Sequence, residues 1–413
     1  MRILIYGINY APELTGIGKY TGEMAAWLAG QGHEVKVITA FPYYPEWDIH
    51  QNYKGKLWMK EVVEGVTVVR CPLYVPKEAS AIKRIIHEFS FVLGVFPVWL
   101  KSLFQKKYDV VFSIAPPFHL SFLPLMYSGI KGTPMVSHIQ DLQVDAAKDL
   151  GMIKNKSLLK AMFSAEKFIL KRSEKVSTIS GGMKRKILEK GIPENNMMLF
   201  PNWVDENAIA PLAPEQSLRG KFNLKLTDKV ILYSGNLGEK QGLEVLINIS
   251  KSFSNRPEVQ FVICGSGGGK AKLMDLAVTA GLTNVSFFPL QPYDQLSALL
   301  ATADVHLVLQ KKSASDLVMP SKLTGILSAG GCAIVTAPPN TSLYDVVKEH
   351  NLGILVEPES EELLREAIES AITADLTVYR KNARQYTLDY LSKNSILKRF
   401  EQDLEDLTAR KYP

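Results

Sequence analysis

Two short loops in the second half of this sequence carry residues suited to holding a phosphate. Tyr233-Ser234-Gly235-Asn236-Leu237-Gly238-Glu239-Lys240-Gln241-Gly242 lies between a strand-like and a helix-like segment. Its glycines expose backbone N–H groups, the following helix N-terminus adds a positive dipole, and Lys240 supplies a full charge. Met319-Pro320-Ser321-Lys322 makes a second basic turn, with Ser321 as the expected N-cap and Lys322 beside it. On neighbouring strand ends the two would grip a diphosphate from two sides. In the first half, Ser137-His138-Ile139-Gln140-Asp141-Leu142 closes a hydrophobic strand with a base and an acid. Such a pair at a strand end can order a polar substrate and stabilise developing charge. A lone histidine at a strand end is more often a satisfied structural residue.

Other chemistries lack their residues. Gly16-Ile17-Gly18-Lys19-Tyr20-Thr21-Gly22 misses the last glycine of a dinucleotide fingerprint by one place, and Gly265-Ser266-Gly267-Gly268-Gly269-Lys270 has lysine where the third belongs. Gly269-Lys270 is followed by Ala271 rather than the Ser or Thr of a P-loop. Neither a metal-binding His or Cys spacing nor a Gly-x-Ser-x-Gly elbow occurs, so no metal and no bound cofactor is expected.

The elements that position these loops alternate strand and helix. Arg2–Ile8 reads as a buried strand, followed by a helix from about Lys19 to Ala29 and a strand over Glu34–Thr39. Further strands read at Val110–Ile114, Met135–Ile139, Lys175–Ile179 and Met197–Phe200. Pro201-Asn202-Trp203-Val204-Asp205 has the look of a linker, after which the alternation restarts at Lys229 and ends in three helical segments. The pattern predicts an α/β chain of two Rossmann-like domains with parallel sheets, facing across a cleft. The first would span 1–205 and the second 206–390, with a C-terminal helix of about 391–413 packing back on the first.

At 413 residues, 46% hydrophobic and 22% charged, the chain has room for two cores, and its three separated cysteines form no disulfide framework. The net charge of +6 is uneven. Up to Asp205 there are 26 Lys and Arg against 18 Asp and Glu, and beyond it 22 against 24. Lys154–Lys190 alone holds eleven basic residues. That asymmetry suggests an anionic partner or a solvated helix face. No recognition motif accompanies it, so nucleic acid is not expected. The apolar stretch Phe89–Leu100 is only about twelve residues long and holds Pro97, too short for a spanning helix. The basic and aromatic mixture from Ile82 to Lys107 could instead lie in a bilayer interface or pack in the core.

Taken together, these residues resemble the retaining nucleotide-sugar glycosyltransferases of family 4, which have the two-Rossmann GT-B fold. The resemblance covers almost the whole chain: Arg2-Ile3-Leu4-Ile5, the loop through Gly16 and Gly18, Gly32-His33-Glu34-Val35, His138, Ser234-Gly235 to Lys240, Cys264-Gly265-Ser266-Gly267, Ala303-Asp304-Val305 and Gly330–Val335. The run Tyr6–Tyr20 and Pro320–Thr324 is similar to members acting in bacterial exopolysaccharide assembly of the colanic acid kind. The resemblance implies that Gly16 and Gly18 border the acceptor and the donor phosphate, and that His138 contacts the donor sugar. It also implies that Lys240, Ser321 and Lys322 hold the diphosphate with Gly235 and Asn236, while Gly265, Gly267 and Leu290 face the base. Two departures stand out. Asn236 occupies a place where many members have Arg, and the family's paired glutamates are missing, the second aligning near Gly325 and the first near Asp316, which could substitute.

The implied reaction transfers a sugar, L-fucose from a guanosine diphosphate donor, to a polyprenyl-diphosphate-linked saccharide at the anionic inner face of the cytoplasmic membrane. The alternatives are a nucleotide-sugar epimerase of the same fold and an inactive scaffold of a polysaccharide assembly complex.

Overall fold

The computed structural model describes residues 1–13, 16–77, 81–149, 153, 155–238, 242–310 and 320–409. The chain falls into two compact units, Met1–Asn202 with Leu397–Pro413, and Trp203–Ile396.

The first unit is built on an eight-stranded sheet: β1 (Arg2–Tyr6), β2 (Glu34–Ala40), β3 (Met59–Val63), β4 (Val66–Cys71), β5 (Val110–Ala115), β6 (Met135–Ile139), β7 (Lys175–Thr178) and β8 (Met197–Leu199). Their order is β3-β4-β2-β1-β5-β6-β7-β8. Every residue of β5 and β6 is buried, the signature of parallel strands covered on both faces. The sequence led us to expect parallel pairing throughout, yet β3 runs antiparallel to β4, with Val63 opposite Val66. Only Glu64 and Gly65 lie between them, at φ 49° and 79°. Two successive left-handed residues make the tight turn whose twist suits a hairpin, so the edge strand folds back without a crossover.

The helices between these strands are α1 (Gly16–Gly30), α2 (Ala81–Leu103), α3 (Phe122–Lys131), α4 (Gln143–Asp149), α5 (Lys156–Arg172) and α6 (Gly181–Glu189). α2 is 23 residues long and runs through Pro97, much longer than its apolar run suggested. Among the described residues it is the one helix long and apolar enough to cross a bilayer. One of its faces is nevertheless committed. Phe91, Val95 and Trp99 pack with Leu4, Tyr6, Ile38 and Val111 in the core. The opposite stripe, Leu93, Phe96 and Leu100, is exposed, as is Phe104 just past the helix end.

The second unit holds a six-stranded sheet: β9 (Lys229–Asn236), β10 (Val259–Ser266), β11 (Val285–Phe288), β12 (Val305–Val308), β13 (Ala333–Thr336) and β14 (Gly353–Val356). The order is β11-β10-β9-β12-β13-β14 and every pairing is parallel. The helices are α7 (Glu244–Ser252), α8 (Lys270–Thr279), α9 (Leu296–Leu300), α10 (Ser321–Ser328), α11 (Ser342–Glu349), α12 (Glu361–Thr373) and α13 (Thr377–Tyr386). One core gathers Ile231, Tyr233, Phe261 and Ile263 with Leu246, Leu273 and Ile368, and another gathers Val308, Val335 and Leu323 with Leu343. A last helix, α14 (Lys393–Ala409), belongs from Leu397 onward to the first unit, where Phe400 stacks on Phe200 with ring centroids 3.9 Å apart.

Candidate functional site

In the second unit the carboxyl ends of β9 and β10 lie side by side, with Gly265 opposite Gly235 and Ser266 opposite Asn236. The backbones approach so closely that a Cβ on Gly265 would fall 2.0 Å from the Gly235 carbonyl oxygen. Gly267, at φ 147°, lies equally tight: a Cβ there would meet Asn236 Oδ1 at 2.6 Å. The two loops are tied by Leu237 N–H to the Ser266 carbonyl and Gly269 N–H to the Leu237 carbonyl, both 2.8 Å. Between them lies a hollow of about 300 Å³ lined by Leu237, Gly238, Gly268, Gly269 and Lys272.

Lys322, on the first turn of α10, reaches the end of β9. Its ammonium donates to the Tyr233 hydroxyl at 2.8 Å and lies 4.2 Å from that ring's centroid. The same hydroxyl donates to the Asn236 carbonyl at 2.8 Å, so its proton is committed and its lone pair faces the lysine. A Cβ on Gly235, at φ 143°, would be 3.4 Å from Lys322 Nζ. Burial lowers the Lys322 pKa to about 8, and among the described residues no carboxylate forms an ion pair with it. A mostly buried cation with two spare N–H donors beside a bare stretch of backbone is arranged to receive an anion. A small cavity of about 70 Å³, lined by Ser234, His306, Ser321, Lys322 and Gly325, opens beside it.

Gly235, Asn236, Gly265, Gly267, Ser321 and Lys322 are thus brought into one neighbourhood. Ser321 is the first residue of α10 rather than its cap; Pro320 takes the N-cap place and offers no side-chain bond, so the Ser321 hydroxyl stays exposed. Leu290 follows β11 and is 54% exposed. Lys240 and Asp316 lie outside the described residues.

In the first unit the structure places two of the expected site residues, His138 and Gly18, away from open space. His138 is the fourth residue of β6, and its side chain points into the core, 2% exposed. Its ring lies between Phe112 and Phe200, centroids 5.4 and 5.2 Å away, with Nδ1 2.9 Å from the Ser177 hydroxyl. Burial drives its pKa down to about 3, which leaves a neutral imidazole serving as packing. Gly18 is buried. The space of its missing side chain is filled by Glu13, whose carboxylate oxygen would be 2.6 Å from a Cβ. Gly16, at φ 59°, is exposed with nothing within 4 Å of a Cβ and remains free to border a ligand.

The sequence did not single out the buried acids at this edge. Glu13 accepts from the Tyr43 and Tyr44 amides at 3.2 and 3.1 Å and from Asn9 Nδ2 at 2.9 Å, and burial raises its pKa. Glu88 accepts from Gln143 Nε2 at 2.8 Å, and burial pushes its pKa up to about 7. His119, stacked on Phe89 at 4.3 Å, lies 3.8 Å from Glu88, keeps a buried Nε2 without a partner and is held down to about 4 by burial. These groups lie on or against the loops after β1, β5 and β6, where burial favours the uncharged forms and so suits hydroxyl groups better than phosphates. The available signal was an acid alone in an apolar run: Glu88 is the only Asp or Glu between Lys83 and Leu103.

Among the described residues, His33, Glu401 and Glu405 could hold a metal ion. His33 is already engaged, however, with Nε2 2.7 Å from Glu401 and Nδ1 3.0 Å from the amino terminus. The basic run Lys154–Lys190 is also partly spent on ion pairs, Lys190 with Asp145 and Glu166, and Lys184 with Glu194.

Comparison with known proteins agrees with this division. Residues 214–388 match the family described as Glycosyl transferases group 1, and residues 15–203 match a glycosyl transferase 4-like domain. Over 412 residues the chain is 43% identical to WcaI of Escherichia coli strain K12, a glycosyl transferase named for colanic acid biosynthesis, covering 98% of this chain and all of that one. Sucrose-phosphate synthase from Thermosynechococcus elongatus superposes with a TM-score of 0.75 at 17% identity, covering 99% of each chain. HepE from Anabaena, solved with UDP and glucose, gives 0.68 at 15% identity over 98% of this chain and all of that one.

Proposed function

Because this chain belongs to the group 1 glycosyl transferases, with the GT-B fold of two α/β domains, we propose that its second unit holds the diphosphate of a nucleotide-sugar donor at Lys322. The glycosyl group then passes to a lipid-linked saccharide in exopolysaccharide assembly. The observation that carries this reading is Lys322 itself, a desolvated ammonium fixed by Tyr233 alone among the described residues and directed at the side-chain-free backbone of Gly235. Lys240, in the same β9–α7 loop, supplies a second positive charge. The likeness to WcaI supports a colanic acid-like polysaccharide; the donor proposed, from the sequence resemblance alone, is L-fucose on guanosine diphosphate.

The glycosidic phosphate is already a good leaving group. Catalysis therefore consists of neutralising the departing diphosphate while the acceptor hydroxyl is held on the same face of the sugar, which retains configuration. No pair of carboxylates of the glycosidase kind is required. Lys322 and Lys240 do the first task, and the buried edge around Glu13, Glu88 and His119 does the second.

The acceptor carries a polyprenyl tail, and the protein meets it at the inner face of the cytoplasmic membrane. The support is the exposed stripe of α2 with Phe122, Met126 and Ile130 of α3, set among the basic residues of the first half. Flotation with anionic liposomes at low salt tests this part, and absence of binding removes it. The donor assignment is tested by a thermal-shift screen of guanosine, uridine and thymidine diphosphate sugars. A ligand at 100 times its dissociation constant stabilises by ~2.7 kcal/mol. The outcome against it is that no nucleotide sugar stabilises the protein. Turnover of the free nucleotide sugar without acceptor would instead indicate an epimerase.

A further inference from the structure

A groove of about 740 Å³ lies between the β3–β4–β2 side of the first sheet and the C-terminal half of α2. It is bounded by the first residues of β1 and β2, Arg2 and Glu34, and so is separate from the loops that follow the strands. Its lining contains Arg2, Lys36, Lys60, Lys101 and Lys106 against a single acid, Glu34. That acid is already bonded to Arg2 by two hydrogen bonds, of 2.6 and 2.8 Å. Trp58, Val69, Pro97 and Val98 supply apolar walls, and Trp58 is fastened to α2 by donating to the Gly94 carbonyl at 2.9 Å.

Lys36 is the informative residue. Alternation along β2 puts it on the same face as Ile38 and Ala40, both members of the core. A lysine in a row of core positions costs stability unless its charge is answered. Among the described residues its hydrogen-bond partner is the neutral Gln105 Oε1 at 3.2 Å, and no carboxylate there forms an ion pair with it. Burial together with Lys60, Lys101 and Arg2 lowers its pKa. Lys60 and Lys101 repel Lys36 across the groove, and an anion between them would relieve both the repulsion and the lost hydration.

We propose that this groove is a binding site for a phosphate ester, with Lys36 at its floor, Lys60 and Lys101 at its sides and the apolar wall accepting the ester's organic part. The chemistry is shared by an anionic lipid headgroup and a soluble phosphate ester. The site does not depend on the donor reading, because none of its residues belongs to the second unit.

The test uses the full chain, Lys36→Met and Lys101→Gln. Glycerol 3-phosphate is titrated by thermal shift, and vesicles with and without phosphatidylglycerol are used in flotation. In the glycerol phosphate arm the wild type is expected to be stabilised, with at least a tenfold weaker midpoint in each variant. Lys36→Met should also melt higher than wild type without ligand, because it replaces a desolvated charge by an apolar chain of similar length. Variant-sensitive flotation without a glycerol phosphate shift supports the proposal with a lipid headgroup as the source, and the reverse pattern supports it with a soluble ester. Equal behaviour of wild type and both variants in both arms overturns it. Lys101 is exposed, so Lys101→Gln keeps the test decisive if Lys36→Met folds poorly. Unchanged binding of nucleotide sugar by both variants separates this result from the donor assignment.

Discussion

The core around His138 and the pocket around Lys322 both hold an ionisable group whose charged form is disfavoured by burial, yet their surroundings differ. His138 is enclosed by Phe112 and Phe200, bonded to Ser177 and kept neutral near a pKa of 3. Lys322, lowered to about 8, is bonded to one phenol and borders glycines that leave the backbone bare. A buried group that is neutral and satisfied serves packing. One still largely charged at neutral pH, with donors to spare, is held in readiness for a ligand.

The sharpest way to break this comparison is to remove each group in turn. Lys322→Ala should lower sugar transfer by about 10²–10³-fold, as loss of one donor to a developing anion does, with no loss of melting temperature. Lys240→Ala should behave in the same direction. His138→Ala should do the reverse, costing about 2–4 kcal/mol of stability on the scale of core truncations while activity per folded molecule persists. Parallel melting curves and initial rates check both, and a stable but inactive His138→Ala would break the distinction.

Gly265→Ala should cost about 1–3 kcal/mol, because its Cβ collides with the Gly235 backbone rather than with a movable side chain. Nucleotide affinity should fall with it, since the same strand ends carry both; a melt and a nucleotide titration on one preparation measure the coupling.

The smallest effects are those of pH. The unfolded chain takes up the His138 proton near pH 6.5 and the folded chain only near 3, so stability falls as pH drops through that window, by at most ~1.4 kcal/mol per unit for this residue. His138→Leu should flatten that part of the curve. For Lys322 the folded pKa lies below its ordinary value of 10.5, so the pocket loses its cation as pH rises through about 8. Donor affinity should decline above pH 8, by no more than tenfold per unit, and Lys322→Arg should remove the decline. Nucleotide titrations at pH 7 and 9 decide this.

Much of the architecture was legible because it is written locally. The alternation of apolar runs with helical periods identified the second sheet strand by strand, and α12 was read to its end residues, Glu361–Thr373. The glycine- and lysine-bearing loops at the strand ends were visible in the sequence. What escaped depends on distant partners. His138 looks available in a short window; its enclosure by Phe200 and the overlying Phe400 comes from segments 62 and about 260 residues further along the chain. Tyr233 was part of a quoted loop, but its hold on Lys322 spans 89 residues. The β3–β4 hairpin was hidden by its short edge strand, and α2 by a proline that its helix absorbs.

Titration calorimetry of guanosine and uridine diphosphates into wild type and Lys322→Ala at pH 7 tests the donor pocket most directly. At least one nucleotide is expected to bind the wild type, with affinity falling tenfold or more in the variant while its melting temperature holds. Binding of equal strength to both proteins, or no binding of either nucleotide to the wild type, would contradict a diphosphate site at Lys322.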